Sequence, residues 1–427
     1  MEQRVVITGL GVVSPNGVGV EKFTKAIKNG QSGIKFHPEL NKLSFRCQIG
    51  GVPAISENAR QRFLKKHGIE EVFSTGITYG CIAASEAWRD SGLKVRKASE
   101  SPDYESGCIF GTGSNGIEAT HYGIALRESG QDTRKGNPRA LPQAINSAVS
   151  AFIAKIIGLG GQVTSNASAC NTGTEAILMA FDKIKNKQAV RMLVGSSESN
   201  SPYVWGPFDS MFATAHGFND QPKKASRPMD KDASGFVPSS GAGALVIESL
   251  SAAKKRGAKI YAEVLGGHIN SGGQRGKGTM TIGNVNGMVR CIKNGLKSCQ
   301  ITPDQIDLIS GHLSSTIGDI TEINAWVSAL KRKGTDFPYI NSMKSMIGHC
   351  LSASGSIESV AAVLQLYNGF IHPSINADQL HPEIASLISH TRVPPTAILD
   401  APLNIVCKIS FGFGDVNSCL LLKKYID

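Results

Sequence analysis

One cysteine separates a short extended run from a helix in the stretch Asn166-Ala167-Ser168-Ala169-Cys170-Asn171-Thr172-Gly173-Thr174-Glu175-Ala176. Residues 160–164 predict a turn and a short strand before it. A helix is predicted after it, because apolar residues recur at helical spacing at Ala176, Ile177, Ala180, Phe181 and Ile184. A thiol in the first turn of a helix faces unpaired N–H groups and the positive end of the dipole, which favour thiolate. We therefore expect Cys170 to be a nucleophile rather than a small core residue.

Four further segments accompany this one: VVITGLGVVSP at 5–15, ASRPMD at 225–230, KSMIGH at 344–349 and SFGFG at 410–414. With residues 166–176, and in this order, they make the chain resemble the β-ketoacyl-acyl carrier protein synthases from end to end. These are the condensing enzymes of the thiolase superfamily, the type II fatty-acid and polyketide ketosynthases. The resemblance implies an α/β, thiolase-like fold in which duplicated halves form a five-layered α-β-α-β-α sandwich.

The order of predicted elements agrees with a layered α/β fold. Strands and helices alternate before residue 250, with predicted helices at 20–29, 75–90 and 141–157, and a second series follows from Ile260. The basic run at 254–257 separates the two series. We expect an amino-terminal half at 1–255, with Cys170, and a carboxy-terminal half at 256–427, with His312 and His349.

The composition is that of a globular protein, with 41% hydrophobic and 19% charged residues in 427. No apolar run has membrane-spanning length, because Lys155 interrupts residues 148–161. The first residues lack the apolar core of a signal peptide, so a cytoplasmic location is expected. Nine cysteines form no CxxC pair and no zinc-like spacing, which predicts reduced thiols and no metal site.

The net charge of +11 predicts an acidic partner. Nucleic acid ranks lower, because no recognition motif with interleaved aromatic residues is present. An acidic acyl carrier protein is expected, and a candidate docking surface is the basic segment with Arg60, Arg62, Lys65 and Lys66. A solvated helix face explains that segment equally well.

Two histidines follow predicted strands in the second half. His312 comes after the strand at 306–310, and His349 opens a helix of small residues. Extension of an acyl chain by a malonyl unit needs a thiolate to carry the acyl group and donors to stabilise the enolate left by decarboxylation. Two neutral imidazoles supply such donors, and a helix start disfavours the imidazolium form. The chemistry requires no metal ion or organic cofactor.

The resemblance implies roles for further residues. It makes Cys170, His312 and His349 catalytic, with Lys344 orienting the histidines and Asp319 and Glu322 as its partners. It makes Phe413 the gate over the acyl pocket, and its backbone N–H forms the oxyanion hole with that of Cys170. Substrate contacts are expected from Ser114 and Phe411 in the acyl pocket and from Ser314 and Thr316 on the phosphopantetheine arm that delivers substrates.

Several positions depart from the family pattern. The usual histidine-glycine-threonine segment is His312-Leu313-Ser314, Met343 replaces a common threonine, and Asp415-Val416 replaces glycine-threonine. We therefore expect a decarboxylating Claisen condensation with malonyl-acyl carrier protein in a specialised polyketide, polyene or fatty-acid-like pathway. The alternatives are a housekeeping fatty-acid elongation synthase, or the catalytic subunit of a heterodimer with a chain-length factor rather than a homodimer.

Three other classes fit less well. Non-catalytic chain-length subunits usually lack the cysteine that this chain retains. Thiolases use coenzyme A and a second cysteine, but Cys407 and Cys419 lie outside the expected glycine-rich setting. A Cys/His hydrolase needs an orienting Asn or Asp, and none is identifiable.

Overall fold

The computed structural model describes residues 3–69 and 71–426. Within them the β-strands are β1 (Val5–Ser14), β2 (Gly17–Val18), β3 (Ile34–Phe36), β4 (Ile49–Gly51), β5 (Ser106–Thr112), β6 (Val163–Thr164), β7 (Arg191–Glu198), β8 (Gly241–Ser249), β9 (Ala262–Ser271), β10 (Leu308–Ser310), β11 (Tyr339–Asn341), β12 (Phe370–Ile371), β13 (Ile398–Leu399), β14 (Ile405–Gly412) and β15 (Val416–Lys424). The α-helices are α1 (Val20–Lys28), α2 (Pro38–Lys42), α3 (Glu57–Lys66), α4 (Thr75–Asp90), α5 (Ile117–Glu128), α6 (Leu141–Ala144), α7 (Ala148–Ile157), α8 (Thr172–Lys185), α9 (Pro202–Ser210), α10 (Leu250–Lys255), α11 (Val285–Ser298), α12 (Gly318–Leu330), α13 (Lys344–Ile347), α14 (Ser354–Asn368) and α15 (Pro382–Ala385).

Among the described residues the main sheet has eleven strands: two five-strand parts with the same topology, and β2, which pairs with β1. One part has the order β1-β8-β7-β5-β6 and the other β9-β15-β14-β10-β11. In each part the first three strands pair antiparallel and the last three parallel. The parts meet where β1 pairs with β9 over three residues. The repeated order confirms the duplication, which the resemblance implied and internal sequence identity did not reveal.

Helices cover both faces of each part of the sheet. α4 and α7 pack on the outside of the first part, α11 packs on the outside of the second, and α12 packs against α11. α8 and α14 lie between the two parts and contact both. The central position of α14 explains why every residue from Ser354 to Leu366 is buried. The result is the predicted five-layered sandwich.

Most predicted elements agree with the structure, but the single helix expected at 141–157 is wrong. It is two helices, α6 and α7, because Ile145 has extended backbone geometry. The division after residue 255, the last residue of α10, stays a prediction.

The two central helices touch through glycine. A Cβ atom on Gly173 would lie 2.3 Å from the backbone nitrogen of Ser356, and one on Gly355 would lie 2.6 Å from that of Thr174. Only hydrogen at these positions lets α8 and α14 approach so closely. The amino-terminal ends of a helix from each half are thereby held side by side.

Gly173→Ala should lower the free energy of unfolding by about 1–3 kcal/mol, because its methyl group overlaps backbone atoms that cannot move aside. Gly123→Ala in α5 is the matched control, since a Cβ there meets open space. The control should gain about 0.5–1 kcal/mol from helix propensity. Urea and thermal denaturation followed by circular dichroism measure both. A Gly173→Ala protein as stable as the control would contradict the close helix contact.

Candidate active site

Cys170 lies in one turn of 3-10 helix, Ala169–Asn171, that leads into α8. Ala169 has a φ of 50°, in the left-handed region, so the chain turns sharply just before the cysteine. The Thr172 hydroxyl holds this turn: it accepts from the Ser168 N–H at 2.9 Å and donates to the Ala169 carbonyl at 2.7 Å. The predicted helix start is confirmed.

The Cys170 side chain is buried more deeply than the sequence suggested. Only 9% of the residue is exposed, and this burial raises the pKa of its thiol to about 12, although Lys344 acts in the opposite direction. Desolvation thus outweighs the positive charge nearby. The expectation of a resting thiolate is wrong, so the thiol proton must leave during acyl transfer.

His349 lies between α13 and the 3-10 turn Leu351–Ala353. Its Nδ1 accepts the Leu351 N–H at 3.2 Å and lies 2.9 Å from the Ser354 hydroxyl. Because a backbone N–H only donates, Nδ1 must be an acceptor, and the hydrogen of the neutral ring is on Nε2. His349 therefore presents an Nε2–H donor.

His312 follows β10 through Gly311. Its ring centroid is 5.3 Å from that of His349, and the ring planes meet at 81°. Burial, with Lys344 as the next cause, lowers the pKa of both imidazoles well below the usual histidine range. Both rings are neutral at physiological pH and able to donate an N–H.

Lys344 contacts the histidine pair through the backbone carbonyl of His312. Its carboxylate partner is neither Asp319 nor Glu322, the two residues expected from the family resemblance. Its Nζ donates to the His312 carbonyl and to Glu358 Oε1, each at 2.5 Å. The prediction that Asp319 and Glu322 pair with Lys344 is therefore corrected. Glu358, rather than Asp319 or Glu322, reaches the Lys344 ammonium group because α14, which carries Glu358, passes directly behind the site.

Asp319 and Glu322 instead hold the loop after β10. Glu322 accepts the N–H groups of His312 at 2.9 Å and Leu313 at 2.7 Å. Asp319 accepts that of Ser314 at 2.6 Å. Burial raises the carboxyl pKa of Asp319 to about 6 and that of Glu322 to about 7, while these N–H donors oppose the rise. Both residues thus support the site by fixing the His312 loop.

One cavity of about 600 Å³ brings most of the predicted residues together. The predicted residues that line it are Cys170, His312, His349, Ser314, Thr316, Asp319, Glu322, Phe411 and Phe413. The Ser314 and Thr316 hydroxyl oxygens are 3.0 Å apart. The Phe413 ring packs 5.9 Å from that of Phe208, centroid to centroid. Cysteine, imidazoles, hydroxyls and an aromatic side chain therefore share one chamber.

Two predictions concern residues outside this cavity. Ser114 is absent from its lining. On α3, Arg60 is bound to Glu57 at 3.1 Å and to the Val72 carbonyl at 2.5 Å, which leaves it less available than the exposed Arg62, Lys65 and Lys66. The acyl-pocket role of Ser114 and the docking role of α3 stay predictions.

Asp415, a departure from the family pattern, fixes the cavity wall. Its carboxylate accepts the Gln274 N–H at 3.0 Å and the Asn284 N–H at 2.8 Å. The Gly414 N–H next to it donates to the Met280 carbonyl at 2.7 Å. The turn that carries Phe413 is thus tied to the loop at 272–284, which contributes Thr281 to the lining.

Sequence reasoning missed two charged residues behind the histidines, Glu358 and Lys408. Each is the single charged residue of an apolar element, α14 and β14 respectively. A lone charge in a buried element requires an ionic partner, and this is the signal that identifies such residues.

Neither a metal site nor a membrane span is found in the described ranges. No group of three or more His, Cys, Asp or Glu side chains there is placed to hold a metal ion. No helix of residues 3–69 and 71–426 combines the length and apolar character needed to cross a bilayer.

Family profiles match most of the chain. The profile described as "Beta-ketoacyl synthase, N-terminal domain" matches residues 2–253, and "Beta-ketoacyl synthase, C-terminal domain" matches 261–378. The chloroplastic 3-oxoacyl-[acyl-carrier-protein] synthase I of Arabidopsis thaliana is 34% identical over 429 residues, which cover 99% of this chain and 87% of that protein.

Solved structures give the same assignment. One is the structure of a type II PKS acyl-carrier protein in complex with its ketosynthase, a chain of which superposes on this protein with a TM-score of 0.87 at 28% sequence identity. Another is the ishigamide ketosynthase/chain length factor, which superposes with a TM-score of 0.88 at 26% identity. Each match covers 100% of both chains. With Cys170 and two neutral imidazoles in one cavity, these matches show that the chain belongs to the β-ketoacyl synthase family and is a condensing acyltransferase.

Proposed function

We propose that this ketosynthase extends an acyl group held on Cys170 by decarboxylating condensation with malonyl-acyl carrier protein. The observation that carries the proposal is the cavity in which a thiol faces two neutral imidazoles. A thiol accepts an acyl group, and neutral N–H donors stabilise an enolate without protonating it beforehand. Both half-reactions thereby have their groups within one chamber.

The first half-reaction is acyl transfer. The Cys170 sulfur bonds to the thioester carbonyl carbon, the bond to the carrier's sulfur breaks, and the leaving thiolate takes up the proton that Cys170 loses. The backbone N–H groups of Cys170 and Phe413 are the proposed donors to the tetrahedral oxyanion. In support, a Cβ atom on Gly412 would lie only 3.2 Å from the backbone nitrogen of Asn171. The turn that carries Phe413 is therefore in contact with the turn that carries Cys170.

The second half-reaction is condensation. The bond between the malonyl carboxylate and Cα breaks, carbon dioxide leaves, and the electron pair forms an enolate that accepts hydrogen bonds from His312 and His349. The Cα then bonds to the acyl carbonyl carbon and displaces the Cys170 sulfur, which regains a proton from solvent. No cofactor takes part in this scheme, and Ser314 and Thr316 hold the phosphopantetheine arm.

We propose a specialised polyketide or polyene pathway for this reaction. The ketosynthase of the carrier-protein complex is described as bound to a hexaketide, and the ishigamide enzyme is named as a ketosynthase/chain length factor. The alternative, housekeeping fatty-acid elongation, has the support of relatives named 3-oxoacyl-[acyl-carrier-protein] synthase. In support of the first, Asp415 departs from the family pattern and ties the turn that carries Phe413 to the loop at 272–284. A cytoplasmic location also stays a prediction.

A second chain of the same fold is the proposed partner, either another copy or a chain-length-factor-like subunit. An apolar surface on α5, α6 and α9 supports it, where Ile124, Leu141, Ile145 and Tyr203 expose 43–74% of their surface. α6 contacts α7, which in turn contacts β6, the last strand in its sheet order. An exposed apolar surface near an open sheet edge is typical of an interface.

Cys170→Ala should abolish acyl transfer and condensation, because among the described residues that line the cavity Cys170 is the one cysteine. Cys170→Gln should still release carbon dioxide from malonyl carrier protein, because both imidazoles remain. Intact-mass spectrometry of the enzyme and carrier measures both steps. An alanine variant that still forms acyl-enzyme and elongates would refute the assignment of the nucleophile.

His349→Ala should reduce decarboxylation by about 10²–10³-fold, the usual loss when one oxyanion donor is removed. His390→Ala is the control, since its Nε2 bonds the Ala377 carbonyl outside the cavity. Carbon dioxide release at saturating malonyl carrier protein is the measurement. Equal rates for the two variants would remove His349 from the mechanism.

Leu141→Asp should weaken assembly, because it places a charge in the apolar surface of α5, α6 and α9. Leu399→Asp on β13 is the matched control, with 63% exposure against 74% for Leu141. Native mass spectrometry of complexes purified from the cell of origin distinguishes a homodimer from a heterodimer. Unchanged assembly in Leu141→Asp alone would place the interface elsewhere.

A further inference from the structure

Lys408 is a fully buried ammonium group behind the active site. It lies in the middle of β14, with no exposed side-chain surface, and its Nζ is 2.9 Å from Glu358 Oε2. Lys344 binds the other oxygen of the same carboxylate, Oε1, at 2.5 Å. Glu358 therefore lies between two lysines, and no residue of this group exposes more than 1% of its side chain.

The hydrogen bonds of Lys408 tie this group to the helix that follows Cys170. Its Nζ donates to the Ile409 carbonyl and, at 3.1 Å, to the Ser410 hydroxyl. That hydroxyl is 2.8 Å from the Thr174 hydroxyl in the first turn of α8. Lys408 thus joins β14, α14 and α8, while Lys344 joins the same carboxylate to the His312 loop.

The charge balance of the three residues is unusual for a protein interior. A single lysine neutralises a buried glutamate, whereas two leave a formal excess of one positive charge. Burial lowers the pKa of Lys408, and Glu358 opposes that change. Both lysines contribute to the lowered pKa of His312 and of His349. An excess positive charge disfavours an added proton on a nearby imidazole, and low polarity strengthens this effect.

We propose that Lys408 is a positioning residue of the condensing reaction. Its ammonium group binds Oε2 of Glu358, the carboxylate oxygen that Lys344 does not bind, and it places a net positive charge behind His312 and His349. This charge keeps the imidazoles neutral, so that they remain hydrogen-bond donors to the enolate as the pH falls. The inference rests on the proposed roles of the two histidines. It adds a residue that the family resemblance did not assign.

Other titratable groups face this centre, and the test must allow for them. They come from several elements: Asp319 and Glu322 on α12, Lys344 on α13, Glu198 on β7, Cys170 before α8, His312, His349, Cys350 and His372. All remain present in the variants below, so each variant changes only the charge at Lys408 or Glu358.

The test is a charge series measured as carbon dioxide release from malonyl carrier protein between pH 5 and pH 9. The formal charge is counted over Lys344, Glu358 and Lys408 only. It is +1 in the unaltered protein, +2 in Glu358→Gln and 0 in Lys408→Met. In the double variant Lys408→Met/Glu358→Gln it is again +1. In Lys408→Met we expect the fall of the rate at low pH, the acid limb of the profile, to begin at a higher pH. The rate of Lys408→Met relative to the unaltered protein should therefore be about tenfold lower at pH 5 than at pH 8. The double variant should return the limb toward that of the unaltered protein, and Glu358→Gln should move it to lower pH.

Lys423→Met on β15 is the matched control, because it removes a lysine from the strand paired with β14 without touching Glu358. A purely structural role for Lys408 predicts the same proportional loss at every pH, and this result would overturn the proposal. A double variant whose acid limb coincides with that of Lys408→Met would do so too. If Lys408→Met does not fold, the order of the remaining three profiles decides, since charge control requires the double variant to match the unaltered protein.

A readout independent of catalysis separates this proposal from the proposed function. Histidine labelled with carbon-13 at the ring Cε1 allows NMR titration of His312 and His349, assigned with single His→Gln variants. We expect protonation of these rings to begin at higher pH in Lys408→Met than in Lys423→Met. If the unaltered protein releases no carbon dioxide, the proposed function fails while the titration still tests Lys408. Identical titrations in the two lysine variants would refute the role of Lys408.

Discussion

The contact between α8 and α14 is the constraint on which the active site depends. Each half of the chain supplies one central helix, and glycine at positions 173 and 355 lets the two backbones touch. Cys170 immediately precedes one helix and His349 lies just upstream of the other. A wider crossing would separate the sulfur from the imidazoles, so close packing in the central layer is a requirement of the chemistry as well as of the fold.

Burial then decides the protonation of the groups that this contact brings together. The thiol is kept protonated and the imidazoles are kept neutral, because the charged form of each is poorly solvated. Lys344, Glu358 and Lys408 form a buried ionic group behind the histidines, and none of the three lines the cavity; Lys344 contacts the His312 carbonyl and Lys408 the Ser410 hydroxyl. The two imidazoles, which line the cavity as neutral donors, thus have behind them an ionic group that is absent from its lining.

The departures from the family pattern acquire physical meaning in the structure. Asp415 substitutes a carboxylate for the usual glycine and binds two N–H groups of the loop at 272–284, next to the turn that carries Phe413. Its φ of 59° is one that glycine adopts without strain, so the carboxylate contacts offset a backbone cost. The turn that carries Phe413 and the cavity wall formed by the loop at 272–284 are therefore joined in this chain.

The sequence alone determined the family and the layered fold, and it predicted the nucleophile and the two histidines, because these depend on local motifs and on the order of strands and helices. The structure brings these residues together in one cavity with the predicted Ser314, Thr316 and Phe413, each of which adjoins a motif. Only the tertiary structure decided that Glu358, rather than Asp319 or Glu322, pairs with Lys344, and that Lys408 shares this carboxylate. It likewise decided that Cys170 rests as a thiol. Ion pairing and desolvation depend on distances between elements far apart in the chain, and local sequence patterns do not contain those distances.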